Sequence, residues 1–224
     1  MDCSHLGIFA KFWQPGAVKT RLAAAIGNEP ASEIYRRSLA TLLARFRTVA
    51  DTHCLVFTPE NRRSEFARLV GDHWPLQPQT EGDLGAKMHA FFATGFEEGT
   101  FSKIVLIGSD SPTLPRSLIE TAFAELDTHE VVLGPTPDGG YYLIGASGHS
   151  PPVFDGIAWS TRDVWPQTIA KLRHAGVRFA VLPEWYDIDT ADDLRRLHQE
   201  LQSPACADAV FDELRTTVAQ LLRN

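Results

Sequence analysis

The chain has 224 residues, 44% of them hydrophobic and 22% charged, with a formal net charge of −7 at pH 7. This length supplies one α/β domain with a sizeable core, and the acidity argues against broad binding to a DNA or RNA backbone. No apolar stretch is long enough to span a bilayer, so neither nucleic acid nor membrane is an expected partner.

Residues 6–10 (Leu-Gly-Ile-Phe-Ala) read as a short buried first strand. Just before it, Met-Asp-Cys-Ser-His lacks the pattern of a secretory signal. Three cysteines (Cys3, Cys54, Cys206) and eight histidines, none at metal-ligand spacing, suit a reducing cytoplasm, the expected location. After the strand, Lys11, Lys19 and Arg21 concentrate positive charge in a loop whose turn is Pro15-Gly16. A glycine-containing basic loop feeding a helix makes a phosphate cradle. It is not a P-loop, because Val18 stands where glycine would precede the Lys-Thr pair. The plainer reading is a solvated loop with incidental lysines. Either way its charges are expected to be exposed, and their removal to cost little stability.

Residues 30–50 form an amphipathic pattern, with Ile34, Leu42, Leu43, Phe46 and Val49 on one face and Arg36, Arg37, Arg45 and Arg47 turned to solvent. A second strand over 53–58 ends at Pro59, and a short helix through Phe66, Leu69 and Val70 stops at Gly71. Strand, helix, strand, helix is the order of parallel βαβ units. In residues 77–88, Gly82 and Gly85 permit close backbone approach by a ligand and Lys87 adds charge. Asp83 is placed to cap a helix whose Phe91, Phe92 and Phe96 belong in the core.

Residues 104–107 (Ile-Val-Leu-Ile) read as a strand buried on both faces, running into Gly108, Ser109 and Asp110. In parallel sheets ligands bind beyond the carboxyl ends of strands, where a carboxylate can grip a hard cation. The alternative is that Asp110 makes a turn or caps the helix opening at Pro115 and carrying Leu118, Ile119, Phe123 and Leu126. A strand over 130–135 precedes Thr136-Pro-Asp-Gly-Gly-Tyr-Tyr142, whose paired glycines can fold tightly round a ligand or make a plain hairpin turn. Tyr141 and Tyr142 beside it favour a lined pocket. Residues 148–160 read as a loop that brings Trp159 toward an acceptor, followed by a helix over 161–175 and a strand over 177–182. Thr190 and Asp193 make a capping pair, which leaves Asp187 and Asp189 unexplained by structure. Ser203-Pro204 is the expected start of a C-terminal helix, packed on the domain or on a partner chain.

Five segments in order are Phe9-Ala-Lys11 with Pro15 to Arg21, Gln79-x-x-Gly-Asp-Leu-Gly85, Gly108-Ser-Asp-Ser-Pro112, Pro137-Asp-Gly-Gly-Tyr141 and Asp187-Ile-Asp-Thr190. Together they resemble the GT-A type nucleotide-diphospho-sugar transferases. The likeness is in particular to the bacterial arsenosugar-biosynthesis-like glycosyltransferases, formerly a domain of unknown function, which are related to molybdopterin and phospholactate guanylyltransferases. The resemblance implies a three-layer, Rossmann-like α/β/α fold with a mostly parallel sheet, a domain over 1–202 and a helix over 203–224 that leaves a homodimer open. It implies nucleotide binding by Ala10, Lys11, Lys19, Arg21, Gln79, Gly82 and Gly85, and substrate binding by Asp138, Gly139, Gly140 and Tyr141. Asp110 and Asp189 would hold Mg²⁺ or Mn²⁺, with Asp187 as a rival to Asp189, and Lys19, Asp110 and Asp138 form the implied catalytic set. A single aspartate stands at Ser109-Asp110 where many GT-A enzymes carry Asp-x-Asp. The expected activity is metal-dependent transfer from a nucleotide-sugar to a small-molecule acceptor. The alternatives are nucleotidyl transfer with pyrophosphate release and a non-catalytic nucleotide-sugar sensor.

Overall fold

Seven runs of apolar or β-branched residues pair into one sheet in the computed structural model, which describes residues 3–97 and 99–223. They are β1 (Ser4–Lys11), β2 (Thr52–Thr58), β3 (Leu76–Pro78), β4 (Lys103–Ile107), β5 (Val131–Pro135), β6 (Tyr141–Ser147) and β7 (Phe179–Val181). Their order is β3-β2-β1-β4-β6-β5-β7, and β6 alone runs against its neighbours. Among the described residues eight α-helices accompany them: α1 (Thr20–Ile26), α2 (Asn28–Phe46), α3 (Arg63–Val70), α4 (Leu84–Glu97), α5 (Arg116–Glu125), α6 (Val164–His174), α7 (Ala191–Glu200) and α8 (Asp212–Leu221).

Strand alternation sorts the core into two layers. Leu6, Ile8, Leu55, Phe57, Val105 and Ile107 point to the face covered by α2, α3 and α5, where they meet Leu42, Phe46, Phe66 and Ile119. Cys54, Val56, Ile104, Leu106 and Ile144 point to the opposite face, against Phe91 and Phe92 of α4 and Leu172 of α6. Each of these large side chains is almost wholly out of water, which is worth roughly 1.5–3 kcal/mol apiece. A third cluster joins Leu22, Ile34, Leu194, Leu197, Leu214 and Val218, so α7 and α8 lie against α1 and α2.

The structure departs from the sequence reading at several places. The basic loop leads into a separate helix, α1, which Gly27 ends at φ 92° before α2 begins at Asn28. Strand β3 has no counterpart in that reading; it is three residues that follow Pro75 and end in Pro78, too short for a periodic signal. The C-terminal helix starts at Asp212 rather than Ser203, because residues 204–206 and 209–211 form 3₁₀ turns and the Asp208 carboxylate caps the Val210 amide at 2.9 Å. Arg45 does not face solvent. Its guanidinium lies 4.8 Å from the Phe211 ring centroid and donates to the Pro112 carbonyl at 2.6 Å, which ties the C-terminal segment to the loop carrying Asp110.

Candidate active site

All the strands but β6 point their carboxyl ends to one edge, and the candidate site is assembled there. Ile107 is level with Ile8, so Gly108, Ser109 and Asp110 run on beside the end of β1. Tyr35, buried in α2, fixes this junction: its hydroxyl accepts from the Lys11 amide at 2.9 Å and hydrogen-bonds Ser109 Oγ at 2.7 Å. From the far side of the sheet comes the segment after β7. The Ile188 amide donates to the Asp110 carbonyl at 3.0 Å, and Ser111 Oγ donates to Asp187 Oδ1 at 2.7 Å. The capping box of α7 does a second job, since the Asp193 carboxylate accepts from the amides of both Asp189 (3.1 Å) and Thr190 (2.8 Å). Asp110 and Asp189 are thereby brought together, with Asp187 behind them.

Lys19 lies between them. Its ammonium pairs with Asp110 and with Asp189 Oδ1 (3.0 Å), and its side chain is only 5% exposed. The residue takes the left-handed conformation at φ 49°, ψ 41° ahead of α1, which is uncommon outside glycine. The exposed loop cation expected from the sequence is therefore a buried one, because α1 turns the loop inward over the sheet edge. Burial works against its charge, but Asp110, Asp189 and Asp187 outweigh that and hold it protonated above the usual lysine range. Asp187 is shifted upward by burial and by the charge of Asp110. Arg21 is exposed, with Nη1 3.8 Å from Asp189 Oδ2.

The cleft beside these residues has two lobes, of about 650 and 230 Å³, which share Arg21, Asp138, Arg162 and Asp189 in their walls. Leu84, Tyr141 and Trp159 line the larger lobe, and Asp187 and Asp193 the smaller. The Pro137-Asp-Gly-Gly-Tyr141 segment is a hairpin turn between β5 and β6, so the plainer reading describes its backbone, and it borders the cleft as well. Asp138 Oδ1 accepts from Thr136 Oγ1 (2.6 Å) and the Gly140 amide (3.2 Å), which stiffens the turn. Gly139 is the constrained glycine, at φ 95°, where a Cβ would come within 2.6 Å of the Arg162 carbonyl. Gly140 carries no such strain.

Other sequence-predicted positions are engaged differently. The Gln79 amide donates to the carbonyls of Ala10 (3.3 Å) and Val56 (3.1 Å), tying β1 to β2. Gly85 is a packing glycine, for a Cβ there would meet Trp159 Nε1 at 2.4 Å. Gly82 is exposed at φ 111°, Lys11 Nζ donates to the Ala17 carbonyl at 3.0 Å, and Asp83 caps α4 through the Ala86 amide at 2.8 Å. Sequence reasoning passed over Ser160, Thr161 and Arg162, which line the larger lobe. Their signal was slight: three polar residues ending a loop without periodicity.

The donor set suits a hard divalent cation. Asp110 and Asp189 offer carboxylate oxygens already gathered around a positive charge, and Mg²⁺ commonly takes one or two protein carboxylates and completes its shell with water and phosphate oxygens. Among the described residues, no group of three or more His, Cys, Asp or Glu side chains is disposed as a metal cage.

Residues 42–161 match the family described as an uncharacterized protein conserved in bacteria (DUF2064). The chain belongs to this family. The crystal structure of a candidate nucleotide-diphospho-sugar transferase from Desulfovibrio desulfuricans G20 is 32% identical, with 99% of each chain covered and a TM-score of 0.86. The 3-phospho-D-glycerate guanylyltransferase of Phenylobacterium zucineum (strain HLK1) is 29% identical over 137 residues, 59% of this chain and 62% of that relative, so the match spans less than two thirds of its length. A nucleotidyl transferase from Methanothermobacter thermautotroptrophicus shares the fold, at 15% identity and a TM-score of 0.61 over 89% of this chain and 98% of that one. These relatives are transferases by name. Among its described residues no helix is long and apolar enough to cross a membrane.

Proposed function

We propose that this DUF2064 member is a nucleotidyltransferase that joins a nucleoside triphosphate to a phosphorylated small acid and releases pyrophosphate. The observation that carries the reading is the convergence of Asp110, Asp189 and Lys19 beside a cleft whose walls include Asp189 and Arg21. Such a cluster suits phosphate chemistry, where catalysis is largely positioning and charge stabilisation. The likeness to a 3-phospho-D-glycerate guanylyltransferase favours nucleotidyl transfer over the glycosyl transfer first expected from the sequence.

In this reading the nucleotide lies on the β1 side, along the loop from Lys11 to Arg21, and the acceptor on the β5–β6 side, along the Asp138–Tyr141 turn. Asp110 and Asp189 would hold a divalent cation such as Mg²⁺ or Mn²⁺, which when bound offsets phosphate charge. An acceptor phosphate oxygen attacks the α-phosphorus, the bond from the α-phosphorus to the bridging oxygen of the β-phosphate breaks, and pyrophosphate leaves with that bonding pair. Lys19 and Arg21 meet the charge that develops on the departing oxygens. Asp138 keeps the acceptor-side turn in shape.

The test is product analysis. With each of the four common nucleoside triphosphates, 3-phosphoglycerate and Mg²⁺, one triphosphate should yield pyrophosphate and a nucleoside-diphosphate conjugate by mass spectrometry. Asp110→Asn should lower the rate at least 100-fold while the protein stays folded. Free nucleoside diphosphate released from a nucleotide-sugar, with no pyrophosphate from any triphosphate, would replace this reading with glycosyl transfer.

A further inference from the structure

Arg162 stands out among the charged residues of the cleft. It belongs to both lobes, and among the described residues its guanidinium takes no hydrogen bond or ion pair. Asp138 and Asp189 border the same space, and Arg162 is exposed to it without a partner of its own among the described residues. Its backbone is firmly placed. The Arg162 carbonyl fills the space a Cβ on Gly139 would need, the Trp165 amide donates to the Gly139 carbonyl at 2.8 Å, and Thr161 Oγ1 donates to the Ala158 carbonyl at 2.7 Å. Ser160, at φ 64°, turns the chain into this segment. A cation carried on a fixed backbone loses less freedom when it binds. The planar fork of arginine suits a carboxylate in particular.

The position selects the substrate it would meet. Arg162 is anchored to the turn between β5 and β6, across β4 from the basic loop after β1. Lys19 and Arg21 already supply positive charge on the β1 side, beside Asp110 and Asp189. A further guanidinium on the acceptor side answers a negative charge other than the phosphate that reacts.

We propose that Arg162 is the specificity-determining residue for the acceptor: it binds a carboxylate carried by the same molecule as the reacting phosphate, so the enzyme selects phospho-acids over phosphomonoesters that lack a carboxylate. The inference rests on the nucleotidyl-transfer reading for the identity of the reacting group. The test compares 3-phosphoglycerate with glycerol 3-phosphate, which keeps the phosphate and replaces the carboxylate by a hydroxymethyl group. Wild-type kcat/KM should favour the phospho-acid. Arg162→Gln should lower kcat/KM for 3-phosphoglycerate about 10- to 100-fold, the usual worth of a charge-assisted pair. It should leave glycerol 3-phosphate within about twofold and the triphosphate KM unchanged, and Arg162→Lys should restore part of the preference. No wild-type preference, an equal loss with both acceptors, or a raised triphosphate KM overturns the assignment. Calorimetry of the two acceptors on the full chain without nucleotide makes the same comparison without turnover. If the wild type releases no pyrophosphate, the nucleotidyl-transfer reading falls, and Arg162 is still judged by whether Arg162→Gln abolishes a preference for the phospho-acid in binding; an unaltered preference, or none to begin with, overturns it.

Discussion

An ammonium group wedged between two carboxylates is first of all a structural cation. Lys19→Ala would leave Asp110 and Asp189 without the buried cation they share, with only the exposed Arg21 beside Asp189. Breaking a fully buried pair typically costs 3–5 kcal/mol. Because these carboxylates are about a third exposed, we expect about 2–3 kcal/mol in urea unfolding, with millimolar Mg²⁺ recovering part of it in the variant by binding the folded state. Unchanged stability would return Lys19 to the role of a free loop charge. The contrast with the sequence is instructive at this residue. Charge and position in the loop were legible, but burial was not, since it depends on the turn of α1 and on Asp189, 170 residues further along. Arg162 was illegible for a related reason, because nothing in its neighbours shows that its backbone seats on Gly139.

Strand β1 contains a buried titratable side chain, His5, which is not among the residues lining the cleft. Its Nδ1 lies 2.7 Å from Thr52 Oγ1, its Nε2 3.3 Å from Cys54 Sγ, and its ring stacks on Phe101 at 4.2 Å between centroids. Burial first, and the charge of His53 second, lower its pKa from 6.5 to about 4. The unfolded chain therefore binds a proton near pH 6.5 that the folded chain refuses until about pH 4. Stability from this group is whole above pH 6.5 and declines as pH falls toward 4, by about 2–3 kcal/mol in all. His5→Gln removes the titration, so the gap in unfolding free energy between wild type and variant should shift by that amount between pH 7 and pH 4. A constant gap would show that His5 protonates freely in the fold. The strands around it were legible as elements because short apolar runs punctuated by glycine and proline dictate them. Strand direction was not: the reversal of β6 follows from a five-residue turn that reads equally well as a ligand loop. Helix α1 was not legible because its seven residues are too few for a periodic signal before Gly27 ends it.

Taken as a whole, the molecule draws its candidate site from the centre of the sheet and its β7 edge, and from both ends of the chain. Lys19 lies near the start, Asp110 near the middle, and Asp187 and Asp189 after the last strand. The order of motifs could be read from the sequence; their meeting depends on the strand order, which sets β1 beside β4 and returns the chain past β7. One bond records that meeting directly, from the Ile188 amide to the Asp110 carbonyl. In heavy water this amide should act as a clock. Its proton is replaced by deuterium only when the two segments part, so its exchange rate measures the free energy of opening the edge where the carboxylates sit. We expect slower exchange at Ile188 when Mg²⁺ and nucleoside triphosphate are added together than with either alone, with buried amides at the centre of β1 as the unmoved reference. An equal rate in all mixtures would mean that ligands bind without drawing these segments closer. A single isotope label would then follow the assembly of this edge in solution, without a chromophore or a coupled assay.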